Sequence, residues 1–102
     1  MSTVKGLPTL ADFSERTGAI FHANRDGRDF DLRLASTESF VDNARQTNFS
    51  VMFIAPGDVP AEQGVYTLAN GTLGPMDILL VPVGHDHEGL HFEAVFNYIH
   101  EA

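Results

Sequence analysis

The stretch Leu90–Ile99, "LHFEAVFNYI", decides the fold because its hydrophobicity alternates with a period of two over its whole length. The even-numbered positions are all apolar or aromatic: Leu90, Phe92, Ala94, Phe96 and Tyr98. Successive side chains of a β-strand point to opposite faces, so these residues form one buried face. The polar residues His91, Glu93 and Asn97 have the other parity. The stretch therefore predicts a β-strand with its inner face on a core.

Five earlier segments alternate in the same way or are apolar throughout, and turn signals separate them. They are residues 19–23, 29–35, 49–56, 64–69 and 76–83. Asp26–Gly27 and Asn70–Gly71 are dipeptides that favour tight hairpins. Residues 36–48 are polar and predict a connection with a helical turn near Phe40. Short connections favour antiparallel neighbours, so we predict one meandering sheet.

Residues 8–18, "PTLADFSERTG", predict one short helix. Thr9 is a candidate N-cap with Asp12 three residues later, and Gly18 is the stop signal. A helix this short is not stable alone, so it must pack over an open end of the sheet. The predicted fold class is all-β, a small antiparallel β-barrel or sandwich of about six strands with one short N-terminal helix. We expect a single domain over residues 9–99 and an N-terminal extension over residues 1–8.

The charge balance narrows the classes of partner. The chain of 102 residues has 14 acidic and 6 basic side chains, a net charge of −8, and no cysteine. This balance disfavours nucleic acid and anionic membranes as partners, and the lack of cysteine excludes thiolate metal sites. No signal-peptide run opens the sequence, and no apolar stretch approaches the ~20 residues of a membrane span. We expect synthesis in the cytoplasm without membrane insertion; a final place in a surface or extracellular assembly stays open.

The segment 84–93, "GHDHEGLHFE", raises the question of a metal site. His85, His87 and His91 are the candidate ligands, since imidazole suits zinc, iron and nickel. The other interpretation is a polar hairpin loop bracketed by Gly84 and Gly89, and we favour it because loop residues are solvated. No cysteine nucleophile, serine elbow or glycine-rich phosphate loop is present. We predict no catalysis, no cofactor and no functional metal.

The segments 49–56 and 76–83 are apolar on both faces. A small domain covers one face of each strand with its own core, and large exposed apolar patches are rare on monomers. We therefore predict a homo-oligomer, with Met52, Ile54, Leu79 and Val81 as candidate contact residues.

Several short motifs follow one another along the strands. They are Phe49-Ser50, Phe53, Pro60, Gln63-Gly64, Tyr66, Leu68, Leu73-Gly74, Leu80-Val81-Pro82 and Glu93-Ala94-Val95-Phe96-Asn97. With the opening "LADFSERTGAIFHA" they resemble the DUF6916 family of small bacterial domains over residues 9–97. Relatives commonly carry a histidine after the leucine of Q-G-x-Y-x-L; Ala69 stands there in this chain, so no role of that histidine carries over.

The resemblance implies a companion of phage-tail-collar-like proteins, which build fibres and appendages. We accordingly expect a non-catalytic structural or assembly module, a self-associating subunit of a filament, appendage or phage-tail-like structure. The alternative is a small β-barrel that binds a ligand or metal through the loop with His85, His87 and His91.

Overall fold

The computed structural model describes residues 8–56 and 58–100, and their fold is all-β as predicted. The elements are α1 (Leu10–Ser14), β1 (Ile20–Arg25), β2 (Arg28–Asp42), β3 (Gln46–Ala55), β4 (Gly64–Asn70), β5 (Leu73–Asp86) and β6 (Gly89–Ile99). Apart from Pro8, the expected N-terminal extension lies outside the described residues. Among the described residues, no helix has the length and apolar character needed to cross a membrane.

The six strands form a closed barrel in the order β1-β2-β3-β6-β5-β4, and every neighbouring pair is antiparallel. The expected single meander is wrong at one place. β4 follows β3 in the chain but pairs with β1 and β5, so these two consecutive strands are not neighbours in the sheet. The resulting neighbours β4-β1-β2-β3 form a Greek key.

The two longest strands each change partner part-way. β2 pairs with β1 up to Arg33 and with β3 from Arg33 to Asp42. β5 pairs with β4 up to Leu80 and with β6 from Val81. A register shift lies close to each change, between Leu34 and Ser36 in β2 and between Pro82 and Gly84 in β5. Such bulges bend a strand, so that it turns a corner between two sheet regions. Residues 36–42 therefore extend β2, where a polar connection was expected.

Helix α1 closes one end of the barrel with Phe13. Thr9 and Asp12 form the predicted capping box: the backbone N–H of Asp12 donates to Thr9 Oγ1 over 3.1 Å, and the backbone N–H of Thr9 donates to Asp12 Oδ2 over 2.9 Å. The helix has only five residues, yet Phe13 is fully buried. Its ring centroid lies 6.1 Å from that of Phe21 and 5.3 Å from that of Phe96. Packing of Phe13, supported by the partly buried Leu10, and not intrinsic helix stability, holds the helix in place.

We predict that Phe13→Ala lowers the free energy of unfolding by about 3–5 kcal/mol, because it leaves a cavity among aromatic rings. Phe40→Ala is the matched control; its ring is 56% exposed, so a change within about 0.5 kcal/mol is expected. Urea unfolding at low protein concentration measures both. Equal losses for the two variants would contradict the role given to Phe13.

Candidate functional site

The histidine-rich segment is a tight hairpin. β5 runs to Asp86 and β6 begins at Gly89, so the turn is only His87–Glu88 and is shorter than the expected loop between Gly84 and Gly89. Gly89 has φ 132°, and a Cβ on it would collide with the carbonyl oxygen of Ala55. A Cβ on Gly84 would meet nothing within 4 Å. Of the two bracketing glycines, only Gly89 is required by the backbone.

Only one of the three candidate histidines lies in a cluster of metal-ligating side chains. The potential ligand atoms of Asp86, Glu88 and His91 all lie within 4.8 Å of one another. His91 Nε2 is 3.0 Å from Asp86 Oδ1, and Arg33 Nη2 is 3.7 Å from Glu88 Oε2. His85 and His87 are exposed and take no part in this group. The hairpin thus combines two acids with one histidine, whereas the sequence pattern suggested three histidines.

The electrostatics of the hairpin centre on Asp86. The hydrogen bond with His91 holds the pKa of Asp86 below its ordinary value of 3.8, and the backbone N–H of Glu88 acts in the same direction. That N–H donates to Asp86 Oδ1 over 2.8 Å. Both contacts favour the charged form of the carboxyl group. Asp86 is therefore an ionised acceptor that can pair with His91 or bind a cation.

The four candidate contact residues face away from the barrel interior, but they differ in exposure. Met52 and Val81 are half-buried, and both lie opposite Glu93, in β3–β6 and β5–β6 pairs. Ile54 is only 6% exposed, between Arg33 and His91 on the neighbouring strands. Leu79 is 50% exposed. Leu79 is thus the most available of the four for contact with another molecule.

Sequence reasoning missed a cleft of about 420 Å³ between α1 and the ends of β2, β3 and β6. Its polar lining includes Thr47, whose Oγ1 is 2.7 Å from His100 Nε2 and 3.3 Å from Asp42 Oδ1. Tyr98 closes one side of the cleft by donating its hydroxyl hydrogen bond to the carbonyl of Pro8 over 2.7 Å. Burial raises the pKa of Tyr98 above its ordinary value of 10.0, and the negative charge of Asp12 adds a smaller effect in the same direction. These residues come from separate elements, so no local motif could have revealed the cleft.

The motif around Tyr66 builds the opposite end of the barrel. The Tyr66 hydroxyl donates to the carbonyl of Glu62 over 2.6 Å, and Arg25 Cζ lies 5.3 Å from the centre of the Tyr66 ring. Arg25 Nη1 also pairs with Glu62 Oε1 at 3.2 Å. A Cβ on Gly64 would collide with the Arg25 guanidinium. The tyrosine of Q-G-x-Y-x-L therefore has a structural role here, whereas the guanidinium next to Gly64 is the end of a flexible side chain that can shift. The adjoining pocket of about 40 Å³ is too small for more than water.

The same motifs decide the family. A family model described as "Domain of unknown function (DUF6916)" matches residues 8–96. The chain belongs to the DUF6916 family. This match runs from the capping box of α1 to Phe96 in the last strand. Comparison with curated proteins and with solved structures finds no match. Because the DUF6916 description names no activity, a function has to be argued from the geometry.

The geometry of the hairpin predicts the titration of Asp86. In metal-free protein, we expect its carboxyl group to titrate below 3.8, the ordinary value. A carboxyl group with a depressed pKa stabilises the fold above that value, and this contribution disappears as the pH falls through the folded-state pKa. Carbon NMR of the carboxyl group measures it directly.

His91→Gln should raise the pKa of Asp86 towards 3.8, since His91 is the main cause of the shift. His87→Gln is the control and should have a smaller effect, because His87 contributes only a weak charge interaction. A larger response to His87→Gln than to His91→Gln would refute this geometry.

Proposed function

We propose that this chain is a non-catalytic structural module that associates with its own copies as a subunit of a filament, appendage or phage-tail-like structure. The chain is made in the cytoplasm and acts within a larger assembly. A phage-tail-collar-like protein is the partner class suggested by the resemblance described above. Membership of the DUF6916 family is consistent with a small all-β module but names no function. The support for assembly comes from the exposed surface of the barrel.

The observation that carries the proposal is the number of apolar side chains left outside a filled barrel. Aromatic and aliphatic residues that are almost fully buried already occupy the interior. Among the residues that the structure describes, seven further large apolar side chains are 49–67% exposed: Ile20, Phe40, Val65, Leu79, Val83, Val95 and Ile99. Val65 and Leu79 are direct cross-strand partners on β4 and β5, so they form a shared patch. Contiguous exposed apolar surface is typical of protein contact sites.

The net charge of −8 opposes contact between identical copies, and salt screens such repulsion beyond about 8–10 Å at physiological ionic strength. We predict that the protein self-associates and that added salt strengthens the association. Sedimentation across a dilution series, at low and at moderate salt, measures it. A compact monomer at high concentration in salt would refute the proposal.

Two variants separate surface from interior. Leu79→Asp places a charge on the exposed patch and should weaken association about tenfold, or ~1.4 kcal/mol, while the fold persists. Ile54→Asp puts a carboxylate where a side chain is almost fully buried and should unfold the monomer. Circular dichroism on both variants distinguishes the two results.

The hairpin cluster favours a second candidate function, the binding of a divalent cation. Two carboxylates and one imidazole with ligand atoms within 4.8 Å of one another can coordinate zinc or a similar ion. The ligands in this candidate are Asp86, Glu88 and His91, and His85 and His87 of the predicted set are replaced. The Arg33 guanidinium near Glu88 competes with a cation for that carboxylate.

Cation binding by this cluster can be tested by isothermal titration calorimetry. Zinc chloride is titrated into protein that was purified without a His-tag. If the cluster is a site, one zinc ion binds, and Asp86→Asn weakens the binding about tenfold or more. The control is the double variant His85→Ser with His87→Ser, which should bind zinc as before and change stability by less than about 1 kcal/mol. Zinc binding lost in the double variant and kept in Asp86→Asn would restore the three-histidine site.

A further inference from the structure

The second half of β6 is paired along one side only. Residues 94–99 have partners on β3, whereas the pairing of β6 with β5 ends at the pair Val81–Glu93. The outward side chains of this half are well exposed, at 65% for Val95 and 67% for Ile99. The molecule is 45 Å long and 22–25 Å across. Among the described residues, no strand thus pairs with the second side of this half of β6.

The register shows which backbone groups this edge presents. The N–H of His100 donates to the carbonyl of Arg45 over 2.8 Å, so the backbone of residue 100 points towards the neighbouring strand β3. The β3–β6 pairing continues without a bulge, and backbone groups alternate in direction along a strand. The N–H and C=O groups of Val95, Asn97 and Ile99 thus point to the open side. Besides the strand ladders, no backbone hydrogen bond of the described residues satisfies them.

Natural proteins usually protect such edges with charges, prolines or bulges. Four other strand segments of five or more described residues also pair with a neighbour on one side only. All four carry charged side chains, and three of them also carry a proline or a bulge. These stretches are residues 28–32, 36–42, 73–80 and 81–86. Residues 94–99, "AVFNYI", contain no charge, proline, glycine or bulge. This composition is typical of segments that pair with other strands.

We infer that β6 is the edge through which two copies of this chain pair, antiparallel and about a two-fold axis at Asn97, to give a continuous sheet across the dimer. The inference rests on the proposed function and names the contact for it. Asn97 of one copy lies opposite Asn97 of the other, and Val95 lies opposite Ile99. In each copy, the backbone N–H and C=O groups of Val95, Asn97 and Ile99 then form hydrogen bonds with the same residues of the other copy, as an isologous contact requires.

A second copy is the occupant that the charges favour. In a chain of net charge −8, identical copies approach most easily through a surface without charge, and residues 94–99 provide one. An amide side chain both donates and accepts hydrogen bonds, so Asn97 is complementary to itself, whereas a carboxylate is not. The Val95–Ile99 cross-strand pairs add apolar contact on the outer face. A filament needs another contact besides this dimer, and the patch of Val65 and Leu79 supplies a candidate.

Two substitutions of one residue test the edge. Asn97→Pro removes an N–H that points to the open side, so no ladder bond to β3 is lost, but strand pairing with a copy is blocked. Asn97→Ala is the matched control, since both variants lose the 3.2 Å hydrogen bond from Gln46 Nε2 and only the proline loses the N–H. Sedimentation should show at least about tenfold weaker association for Asn97→Pro and a clearly smaller loss for Asn97→Ala, which removes the side-chain amide but keeps the backbone N–H.

Cross-linking tests the register. The chain has no cysteine, so Asn97→Cys introduces a single thiol. Directly opposed residues in hydrogen-bonded antiparallel pairs have Cα atoms about 5.5 Å apart, within the range of a disulfide. Asn97→Cys should therefore form a disulfide dimer under mild oxidation. Val95→Cys and Ile99→Cys should cross-link when mixed and much less when alone.

The outcomes separate the inference from the proposal on which it rests. A wild-type protein that stays monomeric defeats both. Wild-type association that persists in Asn97→Pro, without cross-linking of Asn97→Cys, overturns the β6 contact and leaves the assembly proposal to the Leu79 patch. If Asn97→Pro does not fold, the cross-linking decides alone, because native Asn97→Cys protein either forms the dimer or does not.

Discussion

Closure of the sheet into a barrel depends on two long strands, each of which pairs with one neighbour in its first half and with a different neighbour in its second half. β2 and β5 bend near Leu34 and Val83, and beyond the bend each one hydrogen-bonds to a different neighbour. Without these bends, six strands of this length would form an open sheet with two exposed edges. With them, the first half of each long strand stays in its own hairpin and the second half leads to the next one. The Greek-key order follows, because β4 must return beside β1 to complete the ring.

The same bends explain where the surface features lie. Where β5 turns away to pair with β4, the end of β6 loses its neighbour on that side. Phe13 of α1 fills the space inside the barrel at this end, and the cleft lined by Thr47 and Tyr98 remains beneath the helix. At the β5 bend, the extra residue Val83 shifts the parity, so His91 lies opposite Gly84. Asp86 and His91 meet because of this local shift and not because of a spacing visible in the sequence.

Local patterns in the sequence predicted most of the fold. The alternation in β6, the capping box of Thr9 and the turn at Asp26–Gly27, where both residues have positive φ, all depend on neighbours in the chain and are confirmed. The closing pair β1–β4 and the strand over residues 36–42 depend on long-range pairing, which periodicity cannot specify. The candidate site followed the same division: sequence pointed to the hairpin, but the bulge selected which histidine joined the acids.

Membership of the DUF6916 family says more about the fold of this chain than about its function. Tyr66 is buried and its hydroxyl holds the carbonyl of Glu62, so the tyrosine of the family motif serves the barrel itself. The match to the family ends at residue 96, whereas the open side of β6 continues through Asn97 to Ile99. Of the three residues whose backbone groups point to the open side, Val95 lies inside the matched range and Asn97 and Ile99 lie just beyond it. The family description names no assembly, so an assembly through this edge has to stand on the charge, pairing and exposure of this chain's own last strand.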